Sequence, residues 1–228
     1  DMLVETFGSL DEATRNMTSP LLRELGCRQE TILEIYRKKE EFDAGKYAGE
    51  MVKKNIALVS IEDELYPGQL KTIEDAPVFM SYHGDMSILN QPLLALVGTR
   101  NMSPYGKRVV GSFVPDLVRS GVVTVSGLAL GIDAEVAWQT MAAGGRTVAV
   151  LGGGLNAIHP KTNELLADEI VKRGGLLISE FPLHMTPERF TFPSRNRIIA
   201  WLTLGTVVLE AAEKSGAIIT AELALDYN

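Results

Sequence analysis

The chain offers almost no sulfur chemistry, since Cys27 is its one cysteine. A single thiol forms no intramolecular disulfide and no thiolate cluster for a metal. Histidine is equally sparse: His83, His159 and His184 are scattered and lack any metal-ligand spacing. Neither a metal nor another cofactor is therefore expected. No apolar run approaches the ~18 residues of a membrane span. The first thirty residues carry acids and polar groups rather than a basic start and an apolar signal core. A cytoplasmic protein without a membrane partner is the resulting expectation.

Net positive charge is also missing: the chain carries −7. Taken whole, that balance argues against a nucleic-acid partner, which usually shows itself as a basic patch. The acid is unevenly distributed, however. Residues 1–91 hold 10 Lys/Arg and 17 Asp/Glu, whereas residues 92–228 hold 12 of each. The carboxyl-terminal part is neutral, and its cations are free to cluster.

What is present is an ordinary globular composition, with 228 residues and 46% hydrophobic content, enough to bury a real core. Residues 1–55 read as a small helical amino-terminal extension. Ser9 with Glu12 fits a capping box, and Ile32, Leu33, Ile35 and Tyr36 make a partial apolar stripe. Shorter, turn-rich segments follow, with strands expected at Ile56–Ile61 and Val78–Tyr82, packed against the edge of a main domain.

From Leu93 apolar runs alternate with helical stretches. Strands are expected at Leu93–Val97, Val122–Val125, Thr147–Leu151, Leu176–Ser179 and Thr206–Leu209. The helices between them fall near 104–119, 132–143, 162–173 and 194–203, with a last one from 216. Five such units predict an α/β fold over 56–228: a Rossmann-like domain with a mostly parallel sheet and helices on both faces. The pattern ends in a helix without a closing strand, which reads as a domain cut short at its carboxyl end.

Open sheets of this kind keep their ligands at the carboxyl ends of the strands. Four loops gather there: Gly98–Pro104, Ser126–Asp133, Gly152–Pro160 and Glu180–Ser194. The first brings Gly98, Thr99 and Arg100 to the end of a buried strand. The next two are rich in glycine (Gly127, Gly131, Gly152, Gly153, Gly154) and expose backbone N–H groups suited to a phosphate. Tight turns alone would explain those glycines equally well. Neither a P-loop nor a dinucleotide fingerprint is present, which argues against an ATPase or a dinucleotide cofactor.

The fourth loop is the most informative. Between Pro187 and Arg197 it interleaves Arg189, Arg195 and Arg197 with Phe190 and Phe192. Arginines neutralise phosphates and aromatic faces stack bases, a combination suited to single-stranded nucleic acid. Ser194 is the expected N-cap of the helix that follows. Arg195 and Arg197 lie about 200° apart on a helix, so one is expected to face a ligand while the other pairs with Glu180 or Glu210. No Ser-His-acid arrangement stands out, so an enzyme is not expected. The alternative is a nucleotide- or nucleoside-phosphate-binding enzyme using the same pocket, with Asp133 or Glu180 as base.

These residues resemble the DprA/Smf DNA-processing proteins of bacteria, over about Ile56 to Tyr227. The likeness is carried by Tyr66-Pro67-x-x-Leu70, Val97-Gly98-Thr99-Arg100 with Tyr105-Gly106, Ser126-Gly127-Leu128-Ala129 with Gly131-Ile132-Asp133, and Val150 through Leu155. It continues in His159-Pro160-x-x-Asn163, Ser179-Glu180, Phe192-Pro193-x-Arg195-Asn196-Arg197-Ile198-Ile199-Ala200, Glu210-Ala211 and Ser215-Gly216 through Thr220-Ala221. The order and spacing of these motifs are specific, although each is weak alone.

The resemblance implies an extended Rossmann-like domain that binds single-stranded DNA without sequence preference. It also implies protection of incoming DNA during natural transformation, transfer of the strand to the RecA recombinase, homodimerisation, and no catalytic activity. Carried over by position, the DNA contacts would be Gly98, Thr99, Arg100, Ser126, Gly127, Gly131, Gly152, Gly153, Gly154, Lys161, Phe192, Arg195, Asn196 and Arg197. Two positions depart from the family pattern. Leu130 stands where Arg is usual, which removes a cation from the rim, and Ala137 stands where His is usual. The family also continues beyond residue 228 into a strand and helix that contribute to self-association.

Overall fold

A computed structural model describes residues 7–212 and 215–226. The chain divides into two compact units, Asp1–Glu50 and Met51–Asn228. The first is helical: α1 (Leu10–Asn16), α2 (Ser19–Glu24), α3 (Gln29–Glu41) and the start of α4 (Ala44–Lys53). Ser9 caps α1 as its spacing predicts, its Oγ accepting a hydrogen bond from Glu12 N at 3.2 Å. The apolar stripe of α3 is narrow. Ile32 is buried, whereas Leu33 beside it is 61% exposed. The unit boundary falls inside α4 rather than at residue 55.

The second unit is built on one seven-stranded sheet. Its strands are β1 (Ala57–Ser60), β2 (Phe79–Gly84), β3 (Leu93–Gly98), β4 (Val123–Ser126), β5 (Thr147–Val150), β6 (Leu176–Ser179) and β7 (Thr206–Glu210). Their spatial order is β1-β2-β6-β5-β4-β3-β7. The five from β3 onward are parallel to their neighbours, and β2 and β1 extend the sheet antiparallel beyond β6. The turn-rich segment before Leu93 thus supplies two strands of the sheet itself.

The central strands β4, β5 and β6 are buried at every residue. That is why they read as continuous apolar runs rather than as alternation. On one face Leu96 packs with Val110 and Val114 of α5 (Pro104–Arg119) and with Ile132 and Val136 of α6 (Ile132–Ala142). On the other, Ala95 and Val97 pack into the cluster that holds Ile198, Ile199 and Leu202, at and just after α8 (Thr191–Trp201), and Ala217 of α9 (Gly216–Asp226). Helix α7 (Glu164–Lys172) packs on β5, β6 and β2. Each fully buried aliphatic side chain in these layers contributes roughly 1.5–3 kcal/mol.

The chain winds outward from β3 through β4 and β5 to β6, then returns across the sheet to lay β7 on the far side of β3. The loops that leave β3 and β7 therefore diverge at a topological switch point, where doubly wound sheets open a crevice.

Candidate nucleic-acid interface

β3 runs into that crevice through a turn held from three sides. Thr99 N donates to Glu210 O at 2.7 Å, Ile132 N donates to Thr99 O at 3.1 Å, and Asn101 N donates to Thr99 Oγ1 at 3.2 Å. A Cβ on Gly98 would lie 2.6 Å from Ile132 Cγ1 and 2.8 Å from Glu210 O, so the close approach of β3 to α6 and β7 requires glycine. The turn presents Arg100 to solvent. Its Cζ stands 5.0 Å over the ring of half-buried Phe192, within cation–π range.

Phe192 belongs to the first turn of α8, which begins at Thr191. Ser194 is therefore not the N-cap. It lies inside the helix, and its Oγ donates to Phe190 O at 3.0 Å. The helix starts early because Pro193 falls in the first turn, where a missing N–H breaks no helical bond. Beneath the ring lies Gly152, whose added Cβ would come within 2.9 Å of Phe192 Cδ1. The imidazole of exposed His159 stands 6.1 Å from the Phe192 centroid, tilted by 55°.

The β4 loop forms the next wall. Leu128 is fully buried with φ of +56°, a conformation costly for a branched residue. Asp133 holds the loop in place: its Oδ2 accepts from Gly127 N at 3.0 Å and from Ala129 N at 3.4 Å. Burial pushes the Asp133 carboxyl above its ordinary range, against the pull of Arg195 and the loop amides. Arg195 ties the loop to β5. Its Nη1 donates to Gly127 O at 3.0 Å and to Val150 O, and its Nε donates to Asn196 Oδ1 at 3.1 Å. Burial lowers its pKa to about 10, so the guanidinium stays charged at neutral pH.

Arg197 does not reach the crevice. Its Nη1 and Nη2 donate to Glu180 Oε1 and Oε2 at 2.7 and 2.6 Å, and its Nε lies 2.8 Å from Asp75 Oδ2. Pairing with Glu180 follows the expectation, but the outward-facing partner does not. Arg195 is only 4% exposed and meets the cleft from inside the protein. Glu210 is engaged elsewhere. Its Oε2 accepts from Ser103 N at 3.0 Å at the start of α5, and hydrogen bonding to Ser103 holds its carboxyl below the usual range.

The resulting cleft has a volume of about 310 Å³. It is lined by Gly98, Thr99, Arg100, Phe192, Arg195 and Asn196, by Ser215, and by Gly216, Ala217, Ile219 and Thr220 at the start of α9. Gly127 lines an adjoining depression with Arg100, Leu130, His159 and Phe192. Ser126 and Gly131 lie behind these surfaces. Ser126 is 1% exposed, and Gly131 has φ of +75° where an added Cβ would lie 2.3 Å from Thr99 O and 2.6 Å from Arg100 O.

Besides Arg197, Ser126 and Gly131, two further groups of expected contacts line neither cavity. Cβ atoms on Gly153 and Gly154 would meet Met185 O at 2.8 Å and Pro182 O at 2.0 Å, so those glycines let the 182–187 loop pack close, and Gly154 N donates to Met185 O at 2.8 Å. Lys161 is exposed in the 3-10 turn before α7 and lines neither cavity. Conversely, Asn101, His159 and the Ser215–Thr220 segment line the two cavities without having been expected there. The last was legible as a fifth loop at the same sheet edge, since it follows β7. Among the described residues no cluster of His, Cys, Asp and Glu suits a metal, and no helix is long and apolar enough to cross a membrane.

Against known proteins, residues 57–228 match the family described as DNA recombination-mediator protein A. Protein Smf of Escherichia coli K12 is 42% identical over 172 residues, which is 75% of this chain and 46% of that protein. The DNA processing protein DprA of Bacillus subtilis is 36% identical over 218 residues, 94% of this chain and 73% of that protein. The chain thus spans roughly half to three quarters of the length of these relatives. The X-ray structure of Streptococcus pneumoniae DprA superposes with a TM-score of 0.79 at 34% identity, covering 99% of this chain and 77% of that one. A structure of Helicobacter pylori DNA processing protein A, reported for its single-stranded DNA binding mode, gives 0.68 at 29% identity over 75% of this chain and 77% of that one. By sequence and by fold, this chain belongs to the DNA recombination-mediator protein A family.

Proposed function

We propose that the cleft at the β3–β7 switch point binds single-stranded DNA without sequence preference. The observation that carries this reading is Arg100 stacked on Phe192 at the cleft mouth. One group meets a phosphate and the other offers a face that any base can stack on. The single-strand binding of the H. pylori relative supports the same ligand. Binding rather than catalysis is favoured because both carboxylates that would serve as a base are committed. Asp133 accepts loop amides, and Glu180 is clamped by Arg197.

The reading extends to a role in DNA processing during transformation, which the match to the DNA processing relatives supports. Protection of the incoming strand, its transfer to RecA, and homodimerisation of the whole protein belong to the same proposal. Fluorescence polarisation of labelled oligothymidine over a salt series tests it. Binding that weakens steeply with salt and drops in Arg100→Ala supports the reading. Absence of binding at low salt overturns it.

A further inference from the structure

Amides at the carboxyl ends of β3 and β4 converge on one acidic side chain that belongs to the protein itself. Asp133 Oδ2 accepts from Gly127 N at 3.0 Å and from Ala129 N at 3.4 Å, and the Gly98 amide also hydrogen-bonds to this carboxyl. Asp133 stands in the first turn of α6, where the helix dipole adds to the pull on a negative group. Convergent loop amides at a helix start are the surroundings that hold a phosphate in many α/β domains. Carboxylate and phosphate oxygens accept the same hydrogen bonds, so Asp133 takes the place such a ligand would occupy. The residue is 6% exposed yet borders the cleft, so one side chain separates the amides from whatever the cleft holds. Of the three charged side chains around the cleft, Asp133 and buried Arg195 offset each other, which leaves Arg100 to meet a ligand.

We propose that Asp133 is a built-in anion that fills this amide nest, and that its presence sets the cleft's specificity for a strand over a free phosphate or mononucleotide. A small phosphate then finds the loop amides taken and meets Arg100 alone. One exposed cation holds such a ligand weakly, whereas a strand carries several phosphates and bases and sums its contacts over its length. Asp133 is thus a specificity-determining residue, and the glycine-rich β4 loop serves as a fixed wall of the cleft rather than as a phosphate cradle.

This specificity rests on the single-strand reading above, and its test separates the two. Melting temperatures of the parent, Asp133→Ser and Asp133→Asn are followed in inorganic phosphate, thymidine monophosphate and thymidine, against chloride of equal ionic strength. Serine vacates the nest, whereas asparagine keeps it filled with an uncharged group of the same shape. Asp133→Ser is expected to gain about 3–6 °C over the parent in ~10 mM phosphate or monophosphate, the shift that a ~1 mM site gives a domain of this size. It should gain nothing in thymidine, and Asp133→Asn should follow the parent. No gain in folded Asp133→Ser, or an equal gain in Asp133→Asn, overturns the filled nest. Should Asp133→Ser fail to fold, the parent decides. Saturable uptake of phosphate or monophosphate by the parent below ~10 mM, or their displacement of labelled oligothymidine beyond the effect of equal chloride, overturns it, and the absence of both upholds it. A parent that binds oligothymidine and also takes up monophosphate sinks the specificity alone. Failure of the parent to bind oligothymidine overturns the single-strand reading, and the specificity with it.

Discussion

Glu180→Gln isolates the buried ion pair that removes Arg197 from the cleft. The Arg197 and Glu180 side chains are 11% and 15% exposed, and both guanidinium–carboxylate hydrogen bonds are short. The other acid, Asp75, is 61% exposed, and so screened a pair contributes little. Removing one member of a buried pair strands the other charge, typically at 3–5 kcal/mol. Asp75 stays nearby, its carbonyl still accepts from Arg197 at 3.1–3.2 Å, and glutamine retains one acceptor. The expected loss is therefore about 2–3 kcal/mol, read by urea unfolding as a lower midpoint at unchanged slope. Oligothymidine affinity should be unaltered, because Arg197 lines no part of the cleft. The pairing of Glu180→Leu with Arg197→Met should recover most of the loss. A Glu180→Gln cost below about 1 kcal/mol, or a fall in DNA affinity at constant stability, would refute this assignment and return Arg197 to the ligand side.

Gly131→Ala should be far more damaging than Gly144→Ala. Both glycines have positive φ, of +75° and +80°, but only at Gly131 would a Cβ lie 2.3 Å from Thr99 O and 2.6 Å from Arg100 O. Gly144→Ala should show the conformational cost alone, about 1 kcal/mol. Gly131→Ala should exceed it by a further ~1–3 kcal/mol and also weaken oligothymidine binding by shifting the Arg100 turn. Equal costs would contradict the clash. Tyr66 supplies a pH test. It is 3% exposed, and burial pushes its phenol from 10 up to about 12. The unfolded chain ionises first, so stability present below pH 10 is lost as pH rises toward 12. Relative to Tyr66→Phe, the parent should lose about 1.4 kcal/mol by pH 11, and parallel pH profiles would exclude the shift.

The sheet was largely legible because burial on both faces leaves a plain apolar signature. The Leu176–Ser179 strand coincides with its expectation, and the other four parallel strands agree to within a residue at each end. Loop convergence was legible too, since parallel topology sends every strand end to one edge. What escaped was long-range pairing. Nothing local links Arg197 to Asp75, 122 positions away in sequence, or sets Met185 O against Gly153. Glycines that admit a phosphate and glycines that admit a neighbouring loop look alike in sequence. The helix of Thr191–Trp201 starts ahead of Ser194, the expected N-cap, because Pro193 is tolerated within a first turn. The Ser215–Thr220 segment follows β7, the fifth parallel strand, and so reaches the same sheet edge as the four expected loops.

The most direct test of the single-strand site is the slope of log affinity against log salt for oligothymidine, measured for the parent chain and Arg100→Ala. The parent should bind at low salt with a clear negative slope. Arg100→Ala should lose roughly tenfold or more in affinity at low salt and shallow the slope by about 0.7, one phosphate contact, at unchanged melting temperature. Identical slopes for the two proteins, or no binding by the parent, would contradict a phosphate-gripping role for Arg100 and the site built around it.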